Sequence, residues 1–130
     1  MPHRRLLALL AALAIAFGAL TVVNGGRVLF GGAEARAAAG QVVDFVLWFN
    51  FLAGFAYVAV GLGLWRRRRW AVHGAALLAL ATASIAVLFG LHVLSGGAYE
   101  LRTVGALTLR LSFWSALALV ARRAAQSTTR

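Results

Sequence analysis

The sequence predicts an all-α membrane protein, an antiparallel four-helix transmembrane bundle with both termini cytoplasmic. Of its 130 residues, 62% are hydrophobic and only 12% are charged, and the mean hydropathy is +0.86. Soluble chains average about 45–50% apolar and about 25% charged residues. The charges also lie mostly between four long apolar segments. These observations exclude a water-soluble domain and make the lipid bilayer the expected solvent.

Four segments are long enough to cross the hydrocarbon core, which takes about 20 mostly apolar residues. They are residues 6–23, 42–65, 70–94 and 104–121. We expect helices, because a helix satisfies its own backbone polar groups within lipid. The whole chain, 1–130, then forms one integral membrane domain. It has outer loops at 24–41 and 95–103 and a cytoplasmic turn at 66–69.

The first segment starts after Arg4 and Arg5 and is predicted to end at Asn24-Gly25-Gly26. We interpret it as a retained helix and not a cleaved signal peptide, because its 18-residue apolar stretch exceeds the usual signal core of about 7–15 residues. A short interfacial helix is expected over 33–39 in the loop that follows. The glycine pairs at 25–26, 31–32 and 96–97 are interpreted as turns.

The second and third segments carry rows of small residues, which allow membrane helices to approach closely. The row in the second segment is Asn50, Gly54, Tyr57 and Gly61; that in the third is Ala75, Ala79, Ala83, Ala86 and Gly90. We interpret both rows as contacts between helices and not as a cofactor site. The fourth segment is interrupted by one charge, Arg110.

Arginine placement predicts the orientation, because cytoplasmic loops retain positive charge during insertion. Nine of the 13 arginines fall on one side of the alternating path: Arg4, Arg5, Arg66, Arg67, Arg68, Arg69, Arg122, Arg123 and Arg130. Arg27, Arg36 and Arg102 fall on the other side with all three acids. The net charge of +10 is therefore mainly a topological feature. We expect a multi-pass protein of the inner (plasma) membrane.

The turn Arg66 to Arg69, between Trp65 and Trp70, is predicted to bind lipid headgroups. Tryptophan is enriched at membrane interfaces, and each arginine near an anionic surface adds about 1 kcal/mol of attraction. Four residues are too few for a nucleic-acid site, so we expect anionic lipid and no nucleic acid as partner.

Ionisable side chains inside membrane spans are candidate functional residues, because a charge at the bilayer centre costs about 2.5–3.5 kcal/mol. The predicted threading brings several such groups to the outer half, where a salt bridge between Asp44 and Arg110 is one possibility. This pair is either an interior architectural contact or part of a polar cavity open to the outside. The candidate ligand-binding cluster consists of Asn24, Asp44, Asn50, His92, Glu100, Arg102 and Arg110.

No cofactor is predicted. A two-haem bundle would need a partner histidine for each of His73 and His92, and the only other histidine, His3, lies in the N-terminal tail. The chain has no cysteine, which excludes disulfides and thiolate chemistry. Phosphate-loop, zinc-protease, serine-hydrolase and calcium-loop motifs are absent, and we predict no catalytic and no metal-binding residues.

The sequence therefore favours a non-catalytic subunit or accessory component of a membrane complex or homo-oligomer. The alternative is a transporter or binding protein for a small ligand, lipid or proton that uses the polar cluster around Asp44 and Arg110. A membrane enzyme acting on lipid, with Glu100 or Asp44 as acid or base, is the third possibility.

Overall fold

The computed structural model describes residues 2–128, with side chains from residue 4 to residue 126, and this part of the chain contains five α-helices and no strand. The helices are α1 (Pro2–Phe30), α2 (Gly32–Ala39), α3 (Asp44–Trp65), α4 (Arg69–Leu94) and α5 (Leu101–Thr128). All but the short α2 are long and apolar enough to cross a membrane. The predicted all-helical architecture, with four helices long and apolar enough to span a membrane, is confirmed at this level. Arg130 lies outside the described residues.

Helix α1 does not end at Asn24-Gly25-Gly26, as the sequence suggested, but continues to Phe30. Gly25 lies against α3, where a Cβ atom would be 3.2 Å from the Phe51 Cβ. Phe30 makes edge-on contacts with Trp48 and Phe51, with ring centroids 6.1 and 5.8 Å apart. Packing on α3 therefore outweighs the weak helix propensity of the two glycines.

The other helix ends also differ from the predicted spans. Helix α3 begins at Asp44 instead of residue 42, and α4 begins at Arg69 instead of residue 70. Helix α5 runs beyond both ends of 104–121, because hydropathy detects only the part of a helix that matches hydrocarbon. The connections shrink accordingly, and the short helix expected over 33–39 is present as α2. Gly32 and Gly96 do adopt the positive φ of turn residues, at 87° and 88°.

Each long helix packs against two others. Helix α1 packs most extensively on α3, α4 packs on α5, and contacts of α3 with α4 and of α1 with α5 complete the ring. Two glycines of α3 allow the closest approach to α1. A Cβ on Gly54 would lie 3.1 Å from the Gly18 carbonyl oxygen, and one on Gly61 would lie 3.0 Å from the Ala11 carbonyl oxygen. The predicted glycine row of α3 is thus a helix contact.

The predicted small-residue row of α4 is only partly buried. Ala75 is fully buried, but Ala83 and Ala86 are half-buried, and a Cβ on Gly90 would meet nothing within 4 Å. The residues that α4 buries are Ala71, Ala75, Leu78, Thr82 and Phe89. The buried face is thus rotated from the predicted row, and its Ala71, Ala75 and Leu78 belong to the same apolar cluster as the large rings of Tyr57 and Trp114.

The larger apolar cluster brings together the beginnings of α1 and α4 and the ends of α3 and α5. It includes Leu7, Leu64, Ala71 and Ala124. We call this region the termini end of the molecule. The opposite region, where α2 and the 95–100 connection lie, is the α2 end, and a smaller cluster of Val43, Val46, Phe89 and Leu107 packs there.

Candidate ligand-binding site

A cavity of about 300 Å³ opens at the α2 end, between the last third of α1 and the first turns of α3 and α5. Ligand-binding clefts in proteins start at about this size. Its walls are mixed in character. The polar lining residues are Thr21, Asn24, Gln41, Asn50, Glu100, Arg102, Thr103 and Arg110, and the apolar ones include Val28, Val43, Val46, Leu47 and Ala106.

Arg110 is the deepest charge in the cavity wall. It lies nine residues after the start of α5, which places it about 13 Å along the helix axis. Its guanidinium donates a hydrogen bond of 3.3 Å to the Thr21 hydroxyl on α1. Its Cζ atom also lies 5.1 Å from the centroid of the Phe17 ring, in cation–π geometry. Both contacts orient the cation without neutralising it.

No carboxylate of the described residues forms an ion pair with Arg110. Its Nε atom is buried and has no hydrogen-bond partner within that part of the chain. An unpaired cation in a membrane interior is expensive, and such a residue normally faces a partner or a hydrated cavity. Arg110 is therefore a strong hydrogen-bond donor in the cavity wall, and its contacts within the described residues leave part of its donor capacity unused.

Further buried polar atoms lie in the interior beyond the Arg110 guanidinium. Asn50 Oδ1, the Tyr57 hydroxyl and Trp114 Nε1 are buried without a hydrogen-bond partner among the described residues. The Tyr57 and Trp114 rings pack with centroids 4.8 Å apart, and both side chains are fully buried. Neither Tyr57 nor Trp114 belonged to the predicted ligand-binding cluster. Their spacing offered a clue, since Trp114 is one helical turn after Arg110 and Tyr57 is two turns after Asn50.

The polar interior ends at an apolar layer. Below Tyr57, towards the termini end, lie Val60, Leu64, Leu78 and Leu117, all buried in the larger cluster. Apart from Tyr57 and Trp114, the buried residues of that cluster have apolar side chains. Buried apolar side chains therefore lie between the cavity and the termini end of the molecule.

The rim of the cavity is held by the first residues of α5 and the segment after α2. The Gln41 backbone N–H donates a 2.9 Å hydrogen bond to Glu100 Oε1, and the Arg102 guanidinium donates a 3.0 Å bond to the Ala39 carbonyl. Gly40 between them has a φ of 79°, and a Cβ there would collide with the Glu100 carboxylate. Only glycine therefore allows this close approach.

The predicted salt bridge between Asp44 and Arg110 is not formed. Asp44 is exposed at the first turn of α3 and pairs with Arg36 of α2. The sequence placed Asp44 on the correct end of its helix, but α2 supplies a nearer cation, and Asp44 does not line the cavity.

His92 is also outside the cavity. Its Nε2 atom lies 2.9 Å from the Ala98 carbonyl oxygen, and its ring packs against Gly97 and against Phe45, whose centroid is 6.1 Å away. His92 therefore fastens the turn that follows its own helix. The other five members of the predicted cluster do line the cavity. They are Asn24, Asn50, Glu100, Arg102 and Arg110.

The arginine turn lies at the other end of the molecule. Arg66, Arg67, Arg68 and Arg69 are all exposed, and so are Trp65 and Trp70, which flank them. Arg67 adopts a left-handed φ of 57°, which closes the turn between α3 and α4. Their exposure leaves these side chains accessible to headgroups, and headgroup binding stays a prediction.

No group of three or more His, Cys, Asp or Glu residues within the described part of the chain is arranged to hold a metal ion. No protein-family model, curated protein or solved structure matches the chain. The functional argument therefore rests on the cavity itself.

Proposed function

We propose that this protein binds a small anionic ligand in the cavity at Arg110, within an antiparallel four-helix bundle of the inner (plasma) membrane. The single observation that carries the proposal is the Arg110 guanidinium, which lines a cavity and has neutral contacts only. An anion bound there would exchange hydrogen bonds with water for charge-assisted ones in a low-dielectric site. Thr21, Asn50 and Thr103 would add neutral polar contacts from three helices.

The buried apolar residues beyond Tyr57 favour a binding protein over a channel. A conducting path would need polar groups or water beyond Tyr57, where the described residues form an apolar layer. A carrier would need a rearrangement of that layer to expose the cavity to the other side. Binding from one side is the simpler function, with transport as its extension.

The orientation follows from the arginines. The termini end carries Arg4, Arg5, Arg122, Arg123 and the arginine turn, which the positive-inside rule assigns to the cytoplasm. The cavity then opens to the outer side, and a ligand reaches Arg110 from outside the cell. Arg66 to Arg69, with Trp65 and Trp70, would anchor the opposite face at anionic headgroups.

Titration of the purified protein in lipid nanodiscs with benzoate and hexanoate tests the proposal. We expect saturable binding to the wild type and at least a tenfold weaker affinity for Arg110→Met, since an unpartnered buried anion is roughly that costly. Arg27→Met is the matched control, because Arg27 is exposed and does not line the cavity. Equal binding by the wild type and Arg110→Met would contradict the proposal.

A second candidate function is that of a subunit in a homo-oligomer or larger membrane complex. It is supported by the half-buried row Ala83, Ala86 and Gly90 on α4, which leaves a flat face of small residues open to close helix contact. Ala83→Leu should then lower the oligomer mass measured by light scattering in mild detergent. If the wild type and Ala83→Leu are both monomers, and no other subunit co-purifies with them, this second candidate function is wrong.

A further inference from the structure

We infer that the cavity selects singly charged organic anions, carboxylates with a short apolar part, and that Glu100 enforces the single charge. The inference rests on the proposed function and names the ligand class of that site. It follows from how charge and apolar surface are distributed along the cavity.

Charge is divided between the interior and the rim. Arg110 is the interior charge, whereas Glu100 and Arg102 lie at the start of α5, about 12–15 Å further out at a rise of about 1.5 Å per residue. Two guanidiniums and one carboxylate give the lining one net positive charge. Because Glu100 and Arg102 offset each other, the rim offers no net attraction to a second negative charge.

The surface between interior and rim includes an apolar wall beside the polar residues Asn24 and Thr103. Val28, Val46, Leu47 and Ala106 line it, and Val46 is only 2% exposed. An inorganic anion would leave these walls without a contact, whereas a short hydrocarbon chain attached to the carboxylate would cover them. The preferred ligand therefore has a carboxylate at Arg110 and a short apolar part directed at the rim.

A second negative charge would be penalised in either position. On a compact dianion such as hydrogen phosphate, both charges would share one guanidinium in a low-dielectric site. On a dicarboxylate, the second carboxylate would point towards the rim, where Glu100 cancels the attraction of Arg102, so that nothing offsets the loss of its hydration. Glu100→Gln leaves the positive charge of Arg102 without an offset, yet it keeps an oxygen that can accept the hydrogen bond from the Gln41 backbone N–H.

The test compares hexanoate with adipate, two acids of equal carbon number that differ by one carboxylate, and adds inorganic phosphate. Isothermal titration of the wild type in nanodiscs should show at least about tenfold tighter binding of hexanoate than of adipate or phosphate. In Glu100→Gln the affinity ratio of hexanoate to adipate should fall several-fold, while phosphate stays weak. Arg102→Gln should raise the same ratio, because it makes the rim negative.

The outcomes separate the two proposals. If adipate binds the wild type as tightly as hexanoate, and Arg110→Met abolishes both, the anion site stands and charge selection by Glu100 is wrong. An unchanged ratio in a folded Glu100→Gln protein also overturns the selection. If none of the three anions binds the wild type, the anion site and the selection both fail. If Glu100→Gln does not fold, the selection is tested by the affinity ratio of hexanoate to adipate in the wild type and in Arg102→Gln.

Discussion

Arg110 illustrates how one charged residue is accommodated within a membrane span. Two of its contacts, with the Thr21 hydroxyl and the Phe17 ring, are to α1, while Arg110 itself is on α5. These helices make fewer contacts with each other than α1 makes with α3. The polar contact therefore orients the guanidinium and also joins two helices whose packing is otherwise sparse.

Replacing Thr21 by valine removes this hydrogen bond while retaining the β-branched shape. We expect the free energy of unfolding to fall by about 0.6–1.7 kcal/mol, the range measured for hydrogen bonds between membrane helices. Hexanoate binding should weaken as well, because the guanidinium loses a positioning contact. Thermal unfolding in detergent and titration in nanodiscs measure the two effects.

Thr108→Val is the control for this substitution. Thr108 is exposed on α5, and its hydroxyl donates to the Val104 carbonyl of its own helix at 2.8 Å. Its removal should leave both stability and binding within error of the wild type. Equal losses for Thr21→Val and Thr108→Val would mean that the contact with Arg110 contributes nothing.

At the scale of the helices, two glycines have opposite packing environments. Gly54 of α3 lies where the α1 backbone approaches, and a Cβ there would be 2.8 Å from Val22 Cγ2. Gly90 of α4 has open space beside it. The same residue type thus marks a tight helix contact in one span and a vacant face in another.

The substitution of alanine at these two glycines should therefore have opposite effects. Gly54→Ala should destabilise the protein by about 1–3 kcal/mol, the usual cost of overpacking. Gly90→Ala should be neutral or stabilise by about 0.5–1 kcal/mol, because alanine is the better helix former. Thermal midpoints in one detergent compare them directly, and a Gly90→Ala protein as unstable as Gly54→Ala would show that α4 packs on something at this face.

The whole molecule has two chemically different ends. The termini end carries the exposed arginine turn above an apolar cluster, while the α2 end carries the cavity and the ion pair of Arg36 with Asp44. This ion pair is largely exposed, with side chains 47% and 67% accessible, so we expect it to add little stability.

The proposed orientation can be tested with single cysteines, since the chain has none. Ala37→Cys places a thiol on exposed α2, and Arg68→Cys places one in the exposed arginine turn. A membrane-impermeant maleimide added to sealed spheroplasts should label Ala37→Cys at once, but Arg68→Cys only after permeabilisation. The reverse labelling pattern would place the cavity on the cytoplasmic side.

The number of spanning helices could be predicted from the sequence because partition into lipid is nearly a sum over residues, so four apolar stretches were sufficient to find them. Arg110 could be singled out for the same reason, since a charge within an apolar stretch is visible without any fold. The other cavity residues predicted from the sequence are Asn24, Asn50, Glu100 and Arg102. They could be predicted because the alternating path of the helices through the membrane brings the segments that carry these residues to the same side as Arg110.

Tertiary structure alone decided which groups touch. The partner of Asp44 is Arg36 and not Arg110, α1 continues through Gly25, and Tyr57 and Trp114 form the interior beneath the guanidinium. Each of these outcomes depends on the rotation of one helix about its axis and on the shape of a neighbour far away in sequence. The hydropathy of a segment does not depend on that rotation, whereas its packing and hydrogen bonds do.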